Sequence, residues 1–256
     1  MIDGNLNKTI TPVILLIGGK GSRYLDDNNS PKQLAVVKKK PILIQMMNAY
    51  FENGFNFIIL PLGYKKKFFR NFFKDKKNLE KYRLNILKKK QTKLKSNMIN
   101  ILLFDTKNDL SKLERVKKSL NFIKNFNNIG VNYGDAICDI NINSVFKKFI
   151  KEKLCAIMSI TIMKSPFGHV KLHKNIIKEF IEKPDLPSPT NIGYYFFKVK
   201  AFMEHKIKNS ELETKFFQNL IKSKKLGFYL HKGYFHTVNN KQDLINIKRI
   251  EKKINR

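Results

Sequence analysis

Five uninterrupted apolar runs, each closed by turn residues, recur along the chain. They are "VILLIGG" from Val13, "FNFIILPLG" from Phe55, "INILLFD" from Ile99, "NNIGVNYGD" from Asn127 and "CAIMSITIM" from Cys155. Strands that are covered on both faces carry continuous apolar runs of this length, whereas half-exposed strands alternate apolar and polar residues. The pattern therefore predicts a buried, mostly parallel sheet.

Segments with helical spacing lie between these runs. "KPILIQMMNAYFENG" carries Pro41 near a helix start and Gly54 just beyond its end, which are the positions that these residues favour. "INSVFKKFIKEK" places Val145, Phe146, Phe149 and Ile150 on one helical face. The alternation of strands and helices predicts an α/β domain with a doubly wound sheet.

The pattern of the last third of the chain predicts further strands and helices. They form a smaller, β-rich extension with a mixed sheet that shares the core of the first part. The strand-like segments are "NIIKEFIEKP", "NIGYYFFKV" and "LGFYLHKGYFHTV", and the helix-like ones are "ELETKFFQNLIKSKK" and "KQDLINIKRIEKK". No Gly/Ser-rich or Pro-rich linker and no internal repeat interrupts the chain. We therefore predict one domain over 1–256, with a basic, aromatic helix and hairpin inserted at about 64–97.

Composition narrows the class of protein. A hydrophobic content of 42% is enough to bury a normal core. No apolar run approaches the roughly 18 to 20 residues of a membrane helix, and the first residues lack the basic-then-apolar order of a signal peptide. A cytoplasmic location without membrane association is therefore predicted. Cys138 and Cys155 have neither metal-ligand spacing nor the density of a disulfide framework, which predicts two reduced, semi-buried thiols.

The net charge of +31 has two explanations. A charge of this size is typical of proteins with an anionic partner such as nucleic acid, a membrane surface or a phosphorylated substrate. The lysine excess is accompanied by asparagine, isoleucine, phenylalanine and tyrosine, the residues that AT-rich codons specify, so compositional bias on a solvated surface explains it as well. We favour the second explanation over a nucleic-acid partner.

The loop "GGKGSR", which follows the first apolar run, is the strongest candidate for a functional site. Glycines allow successive backbone N–H groups to approach an anion, and Arg23 adds a permanently charged guanidinium for phosphate oxygens. The loop matches neither the Walker motif nor the dinucleotide-binding fingerprint. An ordinary glycine turn is the alternative, but three glycines followed by an arginine favour a phosphate site.

Further polar residues follow predicted strands. Asp135 in "YGDA" stands where a carboxylate would hold Mg²⁺ against bound phosphates, although helix capping explains it equally well. Lys32, after Pro31, would bring a second cation to the phosphate loop. The motifs "EKP" at residues 182–184 and "N-x-G" at 191–193, taken singly, are typical of loops or edge strands.

The order of the motifs is more specific than any one of them. "GGKGSR", "PK", "YGD", "EKP" and "N-x-G" in this order resemble the sugar-1-phosphate nucleotidyltransferases, the sugar-nucleotide pyrophosphorylases, and among them glucose-1-phosphate cytidylyltransferases most closely. The resemblance runs over nearly the whole chain. It includes "KPILIQMMNAYFENGFNFIILPLGYK", the place of the basic insertion, "FDTKNDLSKLERVKKSL", "SPFGHV" and "KGYFHTV".

The resemblance implies a Rossmann-like nucleotidyltransferase fold and a reaction of a nucleoside triphosphate, with CTP favoured, and a sugar 1-phosphate, with glucose 1-phosphate favoured. It implies Mg²⁺ as cofactor, a role in nucleotide-sugar and polysaccharide biosynthesis, and a possible homo-oligomer. The residues that it assigns to nucleotide phosphates are Gly18, Gly19, Gly21 and Ser22. The residues that it assigns to catalysis are Arg23, Lys32 and Asp135. The residues that it assigns to the sugar phosphate are Glu182, Lys183, Asn191 and Gly193, and its metal ligands are Asp135 and Asn239.

The sequence departs from the family at several of these positions. The family has a second metal-binding aspartate where the alignment places Asn239, and an amide oxygen lacks the charge of a carboxylate. A shifted alignment, which we favour less, would use Asp243. "YGDA", "PKQ" and "SKLER" replace the family's Y-G-D-G, P-K-P and G-G-R patterns. Three outcomes stay open: a working enzyme, an enzyme with other substrates, and an impaired homologue that only binds nucleotide or sugar phosphate.

Overall fold

The structure is a computed structural model of the chain. It describes residues 11–19, 30–37, 39–88, 94–204, 210–238, 240, 242–245 and 247. Four residues of the predicted site, Gly21, Ser22, Arg23 and Asn239, lie outside these ranges.

The described residues form strands and helices in the alternating order that the apolar pattern predicts. The strands are β1 (Val13–Leu16), β2 (Val36–Val37), β3 (Lys40–Pro41), β4 (Phe57–Leu62), β5 (Leu84–Ile86), β6 (Ile99–Asp105), β7 (Asn128–Tyr133), β8 (Ala136–Cys138), β9 (Ala156–Thr161), β10 (His169–His173), β11 (Ile176–Ile181), β12 (Thr190–Lys198), β13 (Leu226–His231) and β14 (Phe235–Thr237). The helices are α1 (Ile42–Glu52), α2 (Lys66–Lys74), α3 (Lys76–Lys81), α4 (Lys112–Leu120), α5 (Ile142–Lys151), α6 (Lys200–Glu204) and α7 (Phe217–Lys222). A 3₁₀ turn spans Lys32–Leu34, and a π-helical turn, Leu212–Phe216, leads into α7.

Eight strands form one central sheet in the order β13-β9-β12-β7-β1-β4-β6-β5. Its pairs are parallel except for those of β12, which runs antiparallel to both β7 and β9. The prediction of an α/β fold with a doubly wound, mostly parallel mixed sheet is confirmed. Strands of the last third of the chain, β12 and β13, join this sheet, and the small sheets β10–β11 and β8–β14 lie beside it.

The continuous apolar runs are explained by burial on both faces of the sheet. Val13 and Leu15 belong to the core on one face, with helices α1, α2 and α5, while Ile14 and Leu16 belong to the core on the other, with α4, α6 and α7. All four side chains are at most 9% exposed. Full burial of such a side chain stabilises a fold by about 1.5 to 3 kcal/mol, so β1 is a central determinant of the fold.

Strand β1 marks the point where the order of the sheet reverses. After β1 the chain adds β4, β6 and β5 on one side, and it then returns to place β7 on the other. Ligands of open α/β sheets bind beyond the carboxyl ends of the strands at such a reversal. The chain leaves β1 there and enters the predicted phosphate loop.

The segment at 64–97 contains helices α2 and α3 and strand β5, and residues 89–93 lie outside the described part. In place of the predicted hairpin, β5 pairs in parallel with β6 and forms the edge of the central sheet. Among its aromatic residues, Phe69 and Phe73 are buried in the core and Phe72 packs against it. The aromatic pattern therefore reflects an amphipathic helix that covers the sheet.

The hairpin of β10 and β11 differs from the rest of the fold because all of its residues are exposed. In the part of the chain that the structure describes, no helix is long and apolar enough to span a bilayer.

Candidate active site

The predicted phosphate loop begins directly at the carboxyl end of β1. Gly18 and Gly19 are its described residues. The carbonyl of Gly18 accepts a hydrogen bond from the backbone N–H of Tyr64, which follows β4 (N to O, 3.1 Å). The loop is therefore anchored to the end of the neighbouring strand.

Lys32 and Asp135 meet at this edge of the sheet. Lys32 opens the 3₁₀ turn after Pro31, and Asp135 follows β7, whose last residue, Tyr133, pairs with Leu16 of β1. Lys32 Nζ donates a hydrogen bond to Asp135 Oδ2 at 2.7 Å, and the two side chains are 12% and 29% exposed. The structure thus brings together two residues, 103 positions apart, that the sequence analysis assigned to one site.

A cavity of about 500 Å³ lies over this pair. Its described wall contains Gly19, three cationic and three acidic side chains, with Leu16, Gln33 and Tyr133 among the others. The charged residues of the wall are Lys32, Lys112, Arg115, Asp109, Asp135 and Glu211. The excess positive charge of the chain is therefore not concentrated in the described wall, where the two signs are balanced.

Arg115 of helix α4 holds the loop that follows β6. The residue is 3% exposed, and its guanidinium donates hydrogen bonds to Thr106 Oγ1 (2.7 Å) and to the carbonyls of Lys107, Asn108 and Leu110 (3.3, 3.1 and 3.1 Å). Burial lowers the pKa of Arg115, although a guanidinium remains charged in proteins. A permanent positive charge is thereby fixed in the cavity wall by four oxygen acceptors.

The same guanidinium explains why position 18 is a glycine. A Cβ atom on Gly18 would fall within 2.9 Å of Arg115 Cζ and 2.8 Å of the backbone nitrogen of Gly63. The backbone at Gly18, the first residue of the phosphate loop, consequently lies directly against Arg115. Gly18 is required by this close approach, in addition to the access to phosphate that the sequence pattern suggested.

A second polar cluster adjoins the cavity at Lys112 and Tyr133. Glu213 Oε1 accepts hydrogen bonds from Tyr133 Oη and Lys112 Nζ, both at 2.5 Å, and the Lys112 ammonium lies 4.9 Å from the centre of the Tyr133 ring. Burial and the nearby Tyr195 and Glu213 raise the pKa of Tyr133 far above its ordinary value. Burial alone would raise the pKa of Glu213, but the hydrogen bonds from Lys112 and Tyr133 hold it below its ordinary value.

The lowered pKa of Glu213 predicts a stability contribution that is lost in acid. A carboxyl group whose folded pKa lies below its unfolded value of about 4.3 stabilises the fold above that pH, and the contribution disappears as the pH falls through the folded pKa. We expect urea unfolding to show a smaller loss of stability from about pH 6 to pH 3 for Glu213→Gln than for the unsubstituted chain. Glu80→Gln, at an exposed position on α3, is the control and should follow the unsubstituted chain; equal slopes for all three proteins would contradict the prediction.

Comparison with known proteins agrees with this geometry. The model of the family described as "Nucleotidyl transferase" matches residues 12–250. The chain belongs to this family. A Bacillus subtilis (strain 168) protein named "Probable glucose-1-phosphate cytidylyltransferase" is 26% identical over 245 residues, which cover 93% of this chain and 94% of that protein. The resemblance noted in the sequence is confirmed.

Further relatives of this nucleotidyl transferase carry the names of a cytidylyltransferase and of a guanyltransferase. A Salmonella typhimurium glucose-1-phosphate cytidylyltransferase is 24% identical over 180 residues, 67% of this chain and 68% of that protein. A Gibberella zeae mannose-1-phosphate guanyltransferase is 23% identical and covers 91% of this chain and 62% of that protein. The solved structure of a UDP-glucose pyrophosphorylase with UDP-glucose superposes with a TM-score of 0.66 at 19% identity, and covers 95% and 98% of the two chains. This structural likeness supports the fold.

The residues predicted to hold the sugar phosphate lie outside the described wall of the cavity. Glu182 and Lys183 follow β11, are exposed, and face each other at 3.7 Å (Nζ to Oε1). Asn191 donates to Tyr195 Oη at 2.5 Å and accepts from the N–H of Gly193 at 2.9 Å, so both ends of its amide are engaged within the chain. Their contact with a sugar phosphate stays a prediction, as do the roles of the four site residues outside the described ranges.

Sequence reasoning missed Arg115 and the Glu213 cluster. A signal for Arg115 was present, since it stands in "ERVK", within a segment that resembles the family's R-V-K region. The sequence carried no signal for Glu213, because its partner Lys112 is 101 positions away and neither residue type is unusual in this chain.

Asp243, the less favoured metal candidate, exchanges hydrogen bonds with Asn240. The backbone N–H of Asn240 donates to Asp243 Oδ2 at 3.2 Å, and that of Asp243 donates to Asn240 Oδ1 at 2.8 Å. This reciprocal pair is typical of the cap at a helix start, so Asp243 has a structural role where it lies.

Proposed function

We propose that this nucleotidyl transferase joins CTP to glucose 1-phosphate, giving CDP-glucose and pyrophosphate. The names of two relatives support this choice of substrates. The observation that carries the proposal is the Lys32–Asp135 pair, which lies in the wall of the cavity at the point where the sheet order reverses. At that place the Lys32 ammonium is suited to bind phosphate, and the Asp135 carboxylate is suited to bind a divalent cation.

The donor set around Asp135 fits Mg²⁺. This ion is usually held by one or two carboxylates together with water and substrate phosphates. Asp135 offers a carboxylate at the cavity with one oxygen bonded to Lys32. The N–H of Val238, the residue before Asn239 in the sequence, donates to the Asp135 carbonyl at 2.9 Å. When bound, Mg²⁺ would supply positive charge against the triphosphate oxygens.

The reaction mainly requires that the two substrates are positioned and that the negative charge of their phosphates is neutralised. An oxygen of the sugar 1-phosphate bonds to the α-phosphorus of the triphosphate, and the bond from that phosphorus to the bridging oxygen breaks as pyrophosphate leaves. In this proposal Lys32 neutralises charge at the reacting phosphate, and the backbone N–H groups of the glycine loop orient the triphosphate. Arg115 lies beneath the loop and keeps that backbone in place.

Nucleic-acid binding through the segment at 64–97 is less favoured by the structure. Proteins that hold single strands present exposed aromatic rings on which bases stack. Phe69 and Phe73 are buried in the core and Phe72 packs against it, which leaves Tyr64 (38% exposed) and Phe68 (37% exposed) as the exposed large aromatic rings of the described part of the segment. Lys66 and Arg70 of the same helix pair with Asp105.

The test is pyrophosphate release with Mg²⁺, measured with CTP, UTP, dTTP, ATP and GTP against a panel of sugar 1-phosphates. We expect turnover with CTP and glucose 1-phosphate to exceed that of other pairs by at least about tenfold, because a site that hydrogen-bonds one base leaves polar groups unpaired with another. Preference for another pair would overturn the choice of substrates while leaving the reaction class in place.

If the chain shows no turnover with any pair, the variant Asn239→Asp separates two explanations. Restored turnover in this variant would show that a neutral ligand disables an otherwise intact site, as expected of an impaired homologue. If neither the unsubstituted chain nor Asn239→Asp releases pyrophosphate with any pair, the proposed reaction is overturned.

A further inference from the structure

A cysteine, an aspartate and a histidine meet beside the short β8–β14 ladder. His231 Nε2 lies 3.4 Å from Cys138 Sγ and 3.1 Å from Asp139 Oδ1. The three ligand atoms all lie within 4.8 Å of one another, and in the ranges that the structure describes this is the one such group of three or more metal-ligating side chains. None of the three lines the cavity. The sequence spacing gave no sign of this cluster, because Cys138 and His231 are 93 positions apart.

Two of the three separations match the edges of a tetrahedral metal site. Bonds of about 2.0 to 2.3 Å from Zn²⁺ to nitrogen, oxygen and sulfur, at tetrahedral angles, place neighbouring ligand atoms about 3.3 to 3.6 Å apart. The two measured separations differ from these values by a few tenths of an ångström at most. We propose that Cys138, Asp139 and His231 bind one borderline-soft divalent cation, of which Zn²⁺ is the representative.

The chemistry of this group differs from that of the proposed catalytic metal. Thiolate and imidazole ligands favour Zn²⁺, whereas Mg²⁺ prefers oxygen ligands only. Binding would remove the Cys138 thiol proton, which passes to solvent as the sulfur–metal bond forms. The site should therefore discriminate strongly between the two cations.

Surrounding contacts fix the ligands before any ion binds. His231 is 6% exposed, and its carbonyl accepts a hydrogen bond from Thr161 Oγ1 at 2.9 Å. A Cβ atom on Gly233 would fall within 2.7 Å of the Asp139 carboxylate carbon, so a glycine is needed where the turn after β13 closes over that side chain. The Tyr234 carbonyl lies 3.1 Å from His231 Nε2 and offers a fourth ligand atom, an oxygen. Asp139 is 47% exposed, which leaves a path for the ion and for water.

The cluster and the catalytic aspartate lie at two ends of the same ladder. Cys138 pairs with Phe235 at one end of β8–β14, and Ala136, next to Asp135, pairs with Thr237 at the other. A bound ion would tie β8 to the end of β13 and so restrain the ladder that positions Asp135. Its binding should raise the stability of the folded chain, since a ligand that binds only the folded state shifts unfolding by mass action.

The test uses the full chain, freed of affinity tag and metal, and titrated with Co²⁺ as a spectroscopic substitute for Zn²⁺. We expect one Co²⁺ per chain, a near-ultraviolet thiolate-to-cobalt charge-transfer band, displacement by Zn²⁺ and no displacement by Mg²⁺ at equal concentration. Cys138→Ala should abolish the band and the rise in melting temperature with Zn²⁺. Asp139→Asn, at a half-exposed position, should keep the band and weaken binding at least about tenfold, as loss of a ligand's charge does.

Cys155→Ala provides the matched control, because Cys155 is the other free thiol of the chain, directly precedes β9 and belongs to the core on the other face of the sheet. It should bind Co²⁺ as the unsubstituted chain does. The proposal is overturned if the unsubstituted chain gives no charge-transfer band, if the band survives in Cys138→Ala, or if Asp139→Asn binds Zn²⁺ with unchanged affinity. Circular dichroism of each variant separates a lost site from a lost fold.

Discussion

Asp135→Asn is expected to lower the rate of pyrophosphate release about a thousandfold, which corresponds to several kcal/mol of lost charge stabilisation at the reacting phosphates. The amide retains an oxygen but loses the negative charge that would hold Mg²⁺ and that pairs with Lys32 Nζ at 2.7 Å. The measurement is kcat and KM for the best substrate pair at saturating Mg²⁺, together with urea unfolding to verify that the variant is folded.

Asp105→Asn is the matched control for this variant. Asp105 also ends a parallel strand, β6, but its carboxylate is bound by Arg70 and Lys66 and is not in the described wall of the cavity. We expect its activity to stay within about twofold of the unsubstituted chain, because exposed ion pairs contribute little. Comparable losses in the two variants would remove Asp135 from its proposed role.

Arg115→Met is expected to lower the free energy of unfolding by about 3 kcal/mol or more, measured by urea denaturation. The substitution keeps a long apolar side chain but removes the guanidinium donor from four oxygen acceptors, of which Thr106 Oγ1 belongs to a buried residue. They are Thr106 Oγ1 and the carbonyls of Lys107, Asn108 and Leu110. The loop over Arg115 would also lose the group against which Gly18 packs, so nucleotide binding should weaken in the same variant.

Arg70→Met measures the cost of losing an arginine at an exposed position. Arg70 donates to Asp105 Oδ1 at 2.8 and 3.1 Å, and its side chain is 43% exposed. Its loss should cost less than about 1 kcal/mol. If both arginine variants unfold at the same urea concentration, the loop after β6 is not held by Arg115 in the manner described.

The strands were predictable because burial on both faces of a sheet imposes a simple rule on sequence. Every residue of β1 and β4 must be apolar or closely packed, and both strands stand out as uninterrupted runs. The prediction of a hairpin at 64–97 was wrong in the described part, because a short strand carries little sequence pattern. The three residues of β5, "LNI", carry too little pattern to show that their partner is β6 rather than a neighbouring strand.

The pair of Lys32 and Asp135 was predictable as a site because each follows a recognisable turn at the same edge of a parallel sheet. Their contact agrees with that expectation. The Cys138 cluster was not predictable, because it joins residues from β8, the turn after it and β13. Each of these residue types is unremarkable where it occurs.

The sequence by itself determined the α/β fold class, the positions of the long apolar strands of the central sheet and the family, since these depend on apolar periodicity and on the order of short motifs. Tertiary structure decided which polar groups meet. Helix α4 brings Arg115 beneath Gly18, the π-helical turn brings Glu213 to Tyr133 and Lys112, and β13 brings His231 to Cys138. The reason is physical: burial of apolar surface follows from the local pattern of a segment, whereas a contact between distant polar side chains depends on sheet order, register and helix placement together.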